Sequence, residues 1–490
     1  MKTSILEILI AVLTVVVVVL LIEGFVLLAA LIVCAAAATL IVSVERDKFT
    51  LTVKKSTFDR LALLSYCLLC FVYFASIPKI AFLPVSPKYF LFIFTIGLLI
   101  LSKRTVRFPN LYSLAGPIVL FLIMTMLYSF VQQNVREMIA PLEGIVLMAV
   151  TMMIVGSNKQ RCILLTRLFA MFTVFSAVWF FCCLLFYDSF MAIRKIVYAG
   201  YYEPDDAFSI AAMVRPTGLT FNHHIMGYQM TAGVVLVGCL VLLDKSSSWR
   251  RLWMLLFPVM VLALICTAQR STLPAVVLSF VGYTLFVLSR KRRLIMKKLV
   301  FGVIFCIVVI YSVNMMSFGS QYLKTLSIRF THENDIRSRL GWQAAAVKII
   351  LETPLGMRVE GKSWETESLR KGADYSAFGG TVMDVHNGYL LIMLTYGWMG
   401  VSFVIASLWF LTRRMLWIIR SITIRSVSEE YAIAVTFTLI ALLLQALFHH
   451  ASIFKNDNIS CLVLSLFLVW VNVLRKDRTT CHREGLTDSF

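Results

Sequence analysis

Polar positions in this chain punctuate long apolar runs instead of alternating with them. Apolar runs of roughly 17–25 residues are long enough to cross a hydrocarbon core as helices, and here they recur from end to end. The run from Ile5 to Val44 is too long for one crossing, and Glu23-Gly24 in its middle predicts a tight turn between two helices. Further spans are predicted near 61–77, 89–101, 111–131, 145–155, 168–187, 224–243, 252–268, 271–288, 299–316, 387–411, 431–448 and 459–473. Spans 89–101 and 145–155 are short unless flanking residues join them. The pattern predicts an all-α polytopic membrane protein with about 14 transmembrane helices.

Composition agrees. With 60% hydrophobic and 15% charged residues over 490 positions, and a mean hydropathy of +0.85, the chain lacks the polar surface of a soluble globule. Its net charge of +20 then reads as a topology signal, because Lys and Arg accumulate in cytoplasmic loops. With the N-terminus inside, 45–60, 102–110, 156–167, 244–251, 289–298, 412–430 and the tail after Val473 fall inside; with Lys2 they carry 29 of the 46 Lys and Arg but nine of the 26 acids. SRKRRLIMKK, residues 289–298, is the strongest anchor. Nucleic-acid binding is excluded, since the basic residues are divided among short loops and not gathered on one folded domain. Attraction to anionic headgroups is the simpler consequence.

Most of the eleven cysteines, among them Cys67, Cys70, Cys182, Cys183 and Cys266, sit within apolar spans and read as small buried hydrophobes. No CxxC pair has a matching His or Cys partner, so no metal site is expected. The first span lacks a convincing cleavage site and is read as retained.

This register divides the chain into N-terminal transmembrane helices (1–187), a first large outer loop (188–223), central helices (224–316), a second large outer loop (317–386), C-terminal helices (387–473) and an inner tail (474–490). Long loops in a compact fold are usually functional or disordered, and the second contains an evident helix. In SRLGWQAAAVKIILETPLG, residues 338–356, Trp342, Ala346, Ile349 and Ile350 recur at helical spacing and Thr353-Pro354 ends the pattern. It is expected to pack on the membrane domain as a structural lid.

Polar chemistry collects where the outer loops re-enter the membrane. Arg270, in CTAQRSTLPAVV, has apolar spans immediately on both sides. An arginine at that depth either faces a water-filled cavity or an anionic partner, or caps an ordinary turn and snorkels to headgroups. Arg215 lies at a similar depth in VRPTGLTFNHHIMGYQM, residues 214–230, where Gly218 allows a sharp turn and Asn222 is placed to cap the next helix. The adjacent His223 and His224 point about 100° apart on a helix and make a poor chelate; they and His449-His450 read as polar interface residues. His386, in MDVHNGYLLIMLTYGWMG with Asp384 and Asn387 beside it, is either a hydroxyl-activating base or a helix-start residue making a capping bond. Gly397 and Gly400 permit close helix packing. Two arginines and a histidine from separate stretches suit the charge of a lipid-borne diphosphate, because the guanidinium fork donates two parallel bonds. Neither a Walker motif nor a Rossmann glycine pattern occurs.

The combination RPTGLTFN at 215–222, AQRSTL at 268–273, SRLGWQAA at 338–345 with PLG at 354–356, and HNGYLLIMLTYGWMG at 386–400 resembles the O-antigen ligase and polymerase superfamily, over roughly residues 200–411. The resemblance implies a GT-C-type helical glycosyltransferase of the bacterial inner membrane, independent of metal and of any cofactor. Its donor would be a glycan on undecaprenyl diphosphate and its acceptor lipid A–core or a growing glycan, joined at the periplasmic face. By that similarity Arg215 and Arg270 hold the diphosphate, His386 activates the acceptor hydroxyl, and Arg339, Asn222 and Asn387 contact substrate. An O-antigen ligase is the leading expectation, an O-antigen polymerase the second. A transporter of lipid-linked sugar is a third, against which the absence of an internal repeat counts. His223-His224 and the spacing of PLGMRVEG depart from the family pattern.

Overall fold

A computed structural model of the protein describes residues 55–77, 86–102, 111–131, 135–156, 158–185, 218–220, 223–243, 247–267, 269, 271–290, 333–376, 382–422, 427–449, 453 and 457–487. Among them there are thirteen helices and no strand. We number these α1 (Lys55–Phe74), α2 (Pro87–Ser102), α3 (Leu111–Val131), α4 (Val135–Val155), α5 (Lys159–Leu185), α6 (His223–Leu243), α7 (Ser247–Cys266), α8 (Thr272–Arg290), α9 (Glu333–Glu352), α10 (Trp364–Arg370), α11 (Gly388–Ser421), α12 (Val427–Gln445) and α13 (Asn458–Thr487). Seven are long and apolar enough to cross a membrane, and the protein is an all-α polytopic membrane protein. The helix pair expected over 5–44 and the span at 299–316 lie outside the described residues.

Sequence pattern and structure differ at α4. The span read as 145–155 is joined by the residues before it: the helix already begins at Val135 and continues through Pro141 and Glu143. The carboxylate at this depth accepts a bond from the Tyr73 hydroxyl at 3.2 Å, which offsets part of the cost of burying it.

The described residues form two compact units. One holds 55–72, 77 and 86–102, where Ser65 and Thr95 hydroxyls meet at 2.8 Å. The other holds the rest, and α6 is its axis. The sequence of α6 is apolar on every side, and such a helix is buried on every side; α5, α7, α8, α12 and α13 surround it. Gly233 and Gly238 admit Thr173 with Met260 and Phe257 with Phe280, respectively. Buried hydroxyls turn back on their own helices, as Thr436 does to the Ala432 carbonyl and Thr438 to that of Ala434, both at 2.8 Å. Neither of these two hydroxyls then needs water in a medium that has none.

The loop helix forms as its periodicity predicts, over Glu333–Glu352, with Trp342, Ala346, Ile349 and Ile350 buried. Trp342 stacks on Tyr375, centroids 5.0 Å apart, and its indole N–H donates to the Asp374 carbonyl at 2.8 Å. The turn after α9 then locks onto α11. Gly397 has φ 58° and ψ −141°, which breaks α11 into a short segment before it and a long one after it. Into this break fits Gly356, itself at φ 89°. The Trp398 N–H donates to the Pro354 carbonyl and the Met357 N–H to that of Leu394, each at 2.9 Å.

Candidate functional site

Four segments meet at one end of the second unit. The Gly388 N–H donates to the Ala446 carbonyl at 2.8 Å and the Tyr389 hydroxyl to that of Leu443 at 2.7 Å, tying the start of α11 to the end of α12. Gln269, in the turn between α7 and α8, packs where Gly227 of α6 lacks a side chain. The Thr272 hydroxyl donates to the Gln269 carbonyl at 2.7 Å and closes that turn. Ahead of α6, Gly218 adopts φ 55°, as a sharp turn there requires, and sits against Ser176 and Met226. The Leu219 N–H donates to the Ser176 hydroxyl at 3.0 Å, that hydroxyl to Gln229 Oε1 at 2.6 Å, and Gln229 Nε2 to the Phe74 carbonyl at 2.8 Å. Arg215, Asn222 and Arg270 themselves lie outside the described residues. The structure shows the footing next to two of them: the 218–219 turn is held to α6 through Ser176 and Gln229, and Gln269 packs against α6 at Gly227.

His386 is placed by its neighbours. Val385 and Asn387 are buried on either side of it, and the residue between is half-buried with φ 51°. A left-handed conformation is uncommon outside glycine and gathers at functional positions. The ring Nδ1 lies 2.6 Å from the Asp384 carbonyl oxygen. A carbonyl has only lone pairs to offer, so Nδ1 carries the proton and Nε2 of the neutral ring keeps its lone pair. The ring sits 5.8 Å from that of Trp342 and 6.4 Å from that of His449. Asn387 caps α11, its Oδ1 accepting from the N–H groups of Tyr389 and Leu390 at 3.0 and 3.1 Å. Arg339 lies one turn before Trp342 on α9, half-buried.

Sequence reasoning missed His224 and His449. Read as separate polar boundary residues, they are in fact partners from α6 and the turn after α12: His449 Nε2 and His224 Nδ1 are 2.8 Å apart, with ring centroids at 4.6 Å. One nitrogen donates and the other accepts, so the two rings share a proton. Tyr228 flanks His449 at 5.3 Å between centroids. The signal available was the placement of histidines at the ends of two apolar spans on one side of the register. Only the packing of α6 on α12 shows that they meet.

The loop unit has its own electrostatics. Glu352, at the end of α9, pairs with Lys371 and, at 3.2 Å, with Arg370 after and at the end of α10. The bond from Lys371, then the charge of Arg370, holds the Glu352 carboxyl below its usual range. A carboxyl depressed in the folded state adds stability above its unfolded pKa, about 4.3 for Glu, and loses that contribution as pH falls through the lower folded value. The protection factors of peptides covering 364–376, that is, exchange corrected for its intrinsic dependence on pH, should therefore fall on acidification through and below that range, and Glu352→Gln should remove this fall. Unchanged exchange across the range would show the pairs to be inconsequential.

A family model described as O-antigen ligase matches residues 255–405. The match runs from within α7, through α8, α9 and His386, to the middle of α11; His224 and His449 fall outside it. Comparison with curated proteins finds no match.

Proposed function

We propose that this chain belongs to the O-antigen ligase and polymerase superfamily and acts as an O-antigen ligase, a reading supported by the family match over residues 255–405. In this reading it moves a glycan from undecaprenyl diphosphate to a sugar hydroxyl of lipid A–core, at the periplasmic face of the bacterial inner membrane and without a metal ion. The basic-loop register puts the end that carries His386 outside, and the joining of four helix ends there is in keeping with it. His386 carries the proposal: its Nδ1 is committed to the Asp384 carbonyl, which leaves Nε2 as a base at the start of α11.

The chemistry needs little more. Nε2 takes the proton of the acceptor hydroxyl as that oxygen bonds to the anomeric carbon of the donor. The bond from that carbon to the phosphate oxygen breaks, and its electron pair leaves with the diphosphate. Arg215 and Arg270 stabilise the developing charge, each with a fork of donors. The proton on His386 passes toward the His449–His224 pair, whose shared bond can hand a proton along. Arg339, Asn222 and Asn387 border the acceptor and donor sugars, Asn387 through its amide N–H₂ group, since its oxygen caps α11.

Arg270→Ala should lower transfer by about 10²–10³-fold. Arg270→Lys should recover only part, because an ammonium cannot make the paired bonds. Initial rates with a lipid-diphosphate-linked donor in detergent check both, and wild-type rates in the alanine variant would remove Arg270 from the site. A deletion strain tests the ligase assignment. Polymerised chains left on the carrier lipid, with none on lipid A–core, are expected; core bearing a single repeat unit would assign a polymerase. Activity of the purified protein in detergent would exclude transport as the sole function.

A further inference from the structure

We propose that the outward face of α9 lies in the membrane boundary, with bilayer phospholipid as its partner. The helix is apolar on two opposite sides. One side is the buried row of Trp342, Ala346 and Ile349. The other is Leu340, Val347 and Leu351, spaced by seven and four residues and therefore on one line half a turn away. Leu340 is 60% and Leu351 66% exposed, and Leu355 beyond the helix end is 64% exposed. A row of large apolar side chains on a surface calls for a partner.

The break in α11 identifies it. Residues 388–397 of α11 include none that is exposed, whereas from Trp398 onward Trp398, Ile405 and Trp409 are more than half exposed on a membrane-spanning helix and so face lipid. Arg413 and Arg414, the first charged residues of α11, mark the headgroup level below this stretch, with the exposed Leu416 beyond them. Trp398 to Arg413 is a rise of about 22 Å at 1.5 Å per residue, short of the roughly 30 Å of a hydrocarbon core. With the arginine pair at the headgroup level, the lipid boundary continues above Trp398. At that level stands the end of α9, pinned by the bond from the Trp398 N–H to the Pro354 carbonyl at 2.9 Å. Leu355 and Leu351 extend the lipid-facing surface from Trp398 onto the loop unit. Exposed Lys348 and Arg337 flank the row, placed to reach phosphates while their stems stay in apolar surroundings.

The inference is independent of the proposed catalytic role. Its test uses the full chain in vesicles of phosphatidylethanolamine and phosphatidylglycerol, a fraction of which carries a photoactivatable diazirine in the acyl chain. After irradiation, lipid adducts are mapped by mass spectrometry, with the buried α6 peptide as background and the Trp398–Trp409 peptide as the lipid-facing reference. Adducts on the Leu340–Leu355 peptide above the α6 background are expected. Adducts on the reference peptide with none above background on α9 overturn the proposal, and so do copy-to-copy cross-links through α9 in place of lipid adducts.

Discussion

Gly397→Ala should abolish recovery of folded protein. Position 397 combines φ 58° with ψ −141°, a region that only glycine occupies without strain; such conformations cost of the order of 1–3 kcal/mol for other residues. The added methyl would also strike the Pro354 carbonyl and the Gly356 nitrogen, which are backbone and have no rotamer to escape into. Together these place the change above about 4 kcal/mol, among the exceptional single substitutions, against a total stability of roughly 5–15 kcal/mol for a folded protein. Gly341→Ala, in the interior of α9 with nothing within 4 Å of the new methyl, is the control. It should be neutral or stabilising by about 0.5–1 kcal/mol. Monodisperse yield after detergent extraction and the thermal midpoint check both. A Gly397→Ala protein that melts with the wild type would show that the interlock does not hold the loop unit.

His386→Ala should lower transfer by about 10²–10⁴-fold, the usual contribution of a positioned base, while leaving the melting temperature close to that of the wild type. The ring is only half-buried, so its loss removes little packing, and the left-handed backbone is only slightly less favourable for alanine than for histidine. His386→Gly should be equally inactive and no less stable, because glycine takes φ 51° without strain. His449→Ala separates chemistry from support. If the His449–His224 pair draws the proton onward, imidazole added to that variant should restore part of the rate, whereas pyrazole, equal in shape but a far weaker base, should not. Equal rescue by both would make His449 a space-filling residue. Full activity in His386→Ala would remove the whole site.

Much of this arrangement is legible in the sequence, for identifiable reasons. Apolar runs and a 3.6-residue period are local properties, so the spans and the buried row of α9 can be read directly. The positive φ at Gly218 follows from a glycine at a re-entry turn. Gly397 was readable only as a small residue suited to close packing. Its break depends on Gly356, some forty positions earlier, arriving with its own backbone, and no window of sequence contains both. The pairing of His224 with His449 is equally non-local. The start of α4 was not legible because a carboxylate at Glu143 interrupts the apolar run, and its partner Tyr73 is 70 positions away.

The first segment of α11, from Gly388 to Tyr396, is braced at both ends: to the Ala446 carbonyl above and to the Pro354 turn below. A strut so fixed does not swing. In the proposed reaction His386, at its upper end, would be a stationary post, to which lateral diffusion and threading of the sugar chain would deliver the substrates instead of a closing arm enclosing them. Discrimination between acceptors would accordingly be exercised during approach, and turnover should depend more on the fluidity of the surrounding lipid than on any rearrangement of the enzyme.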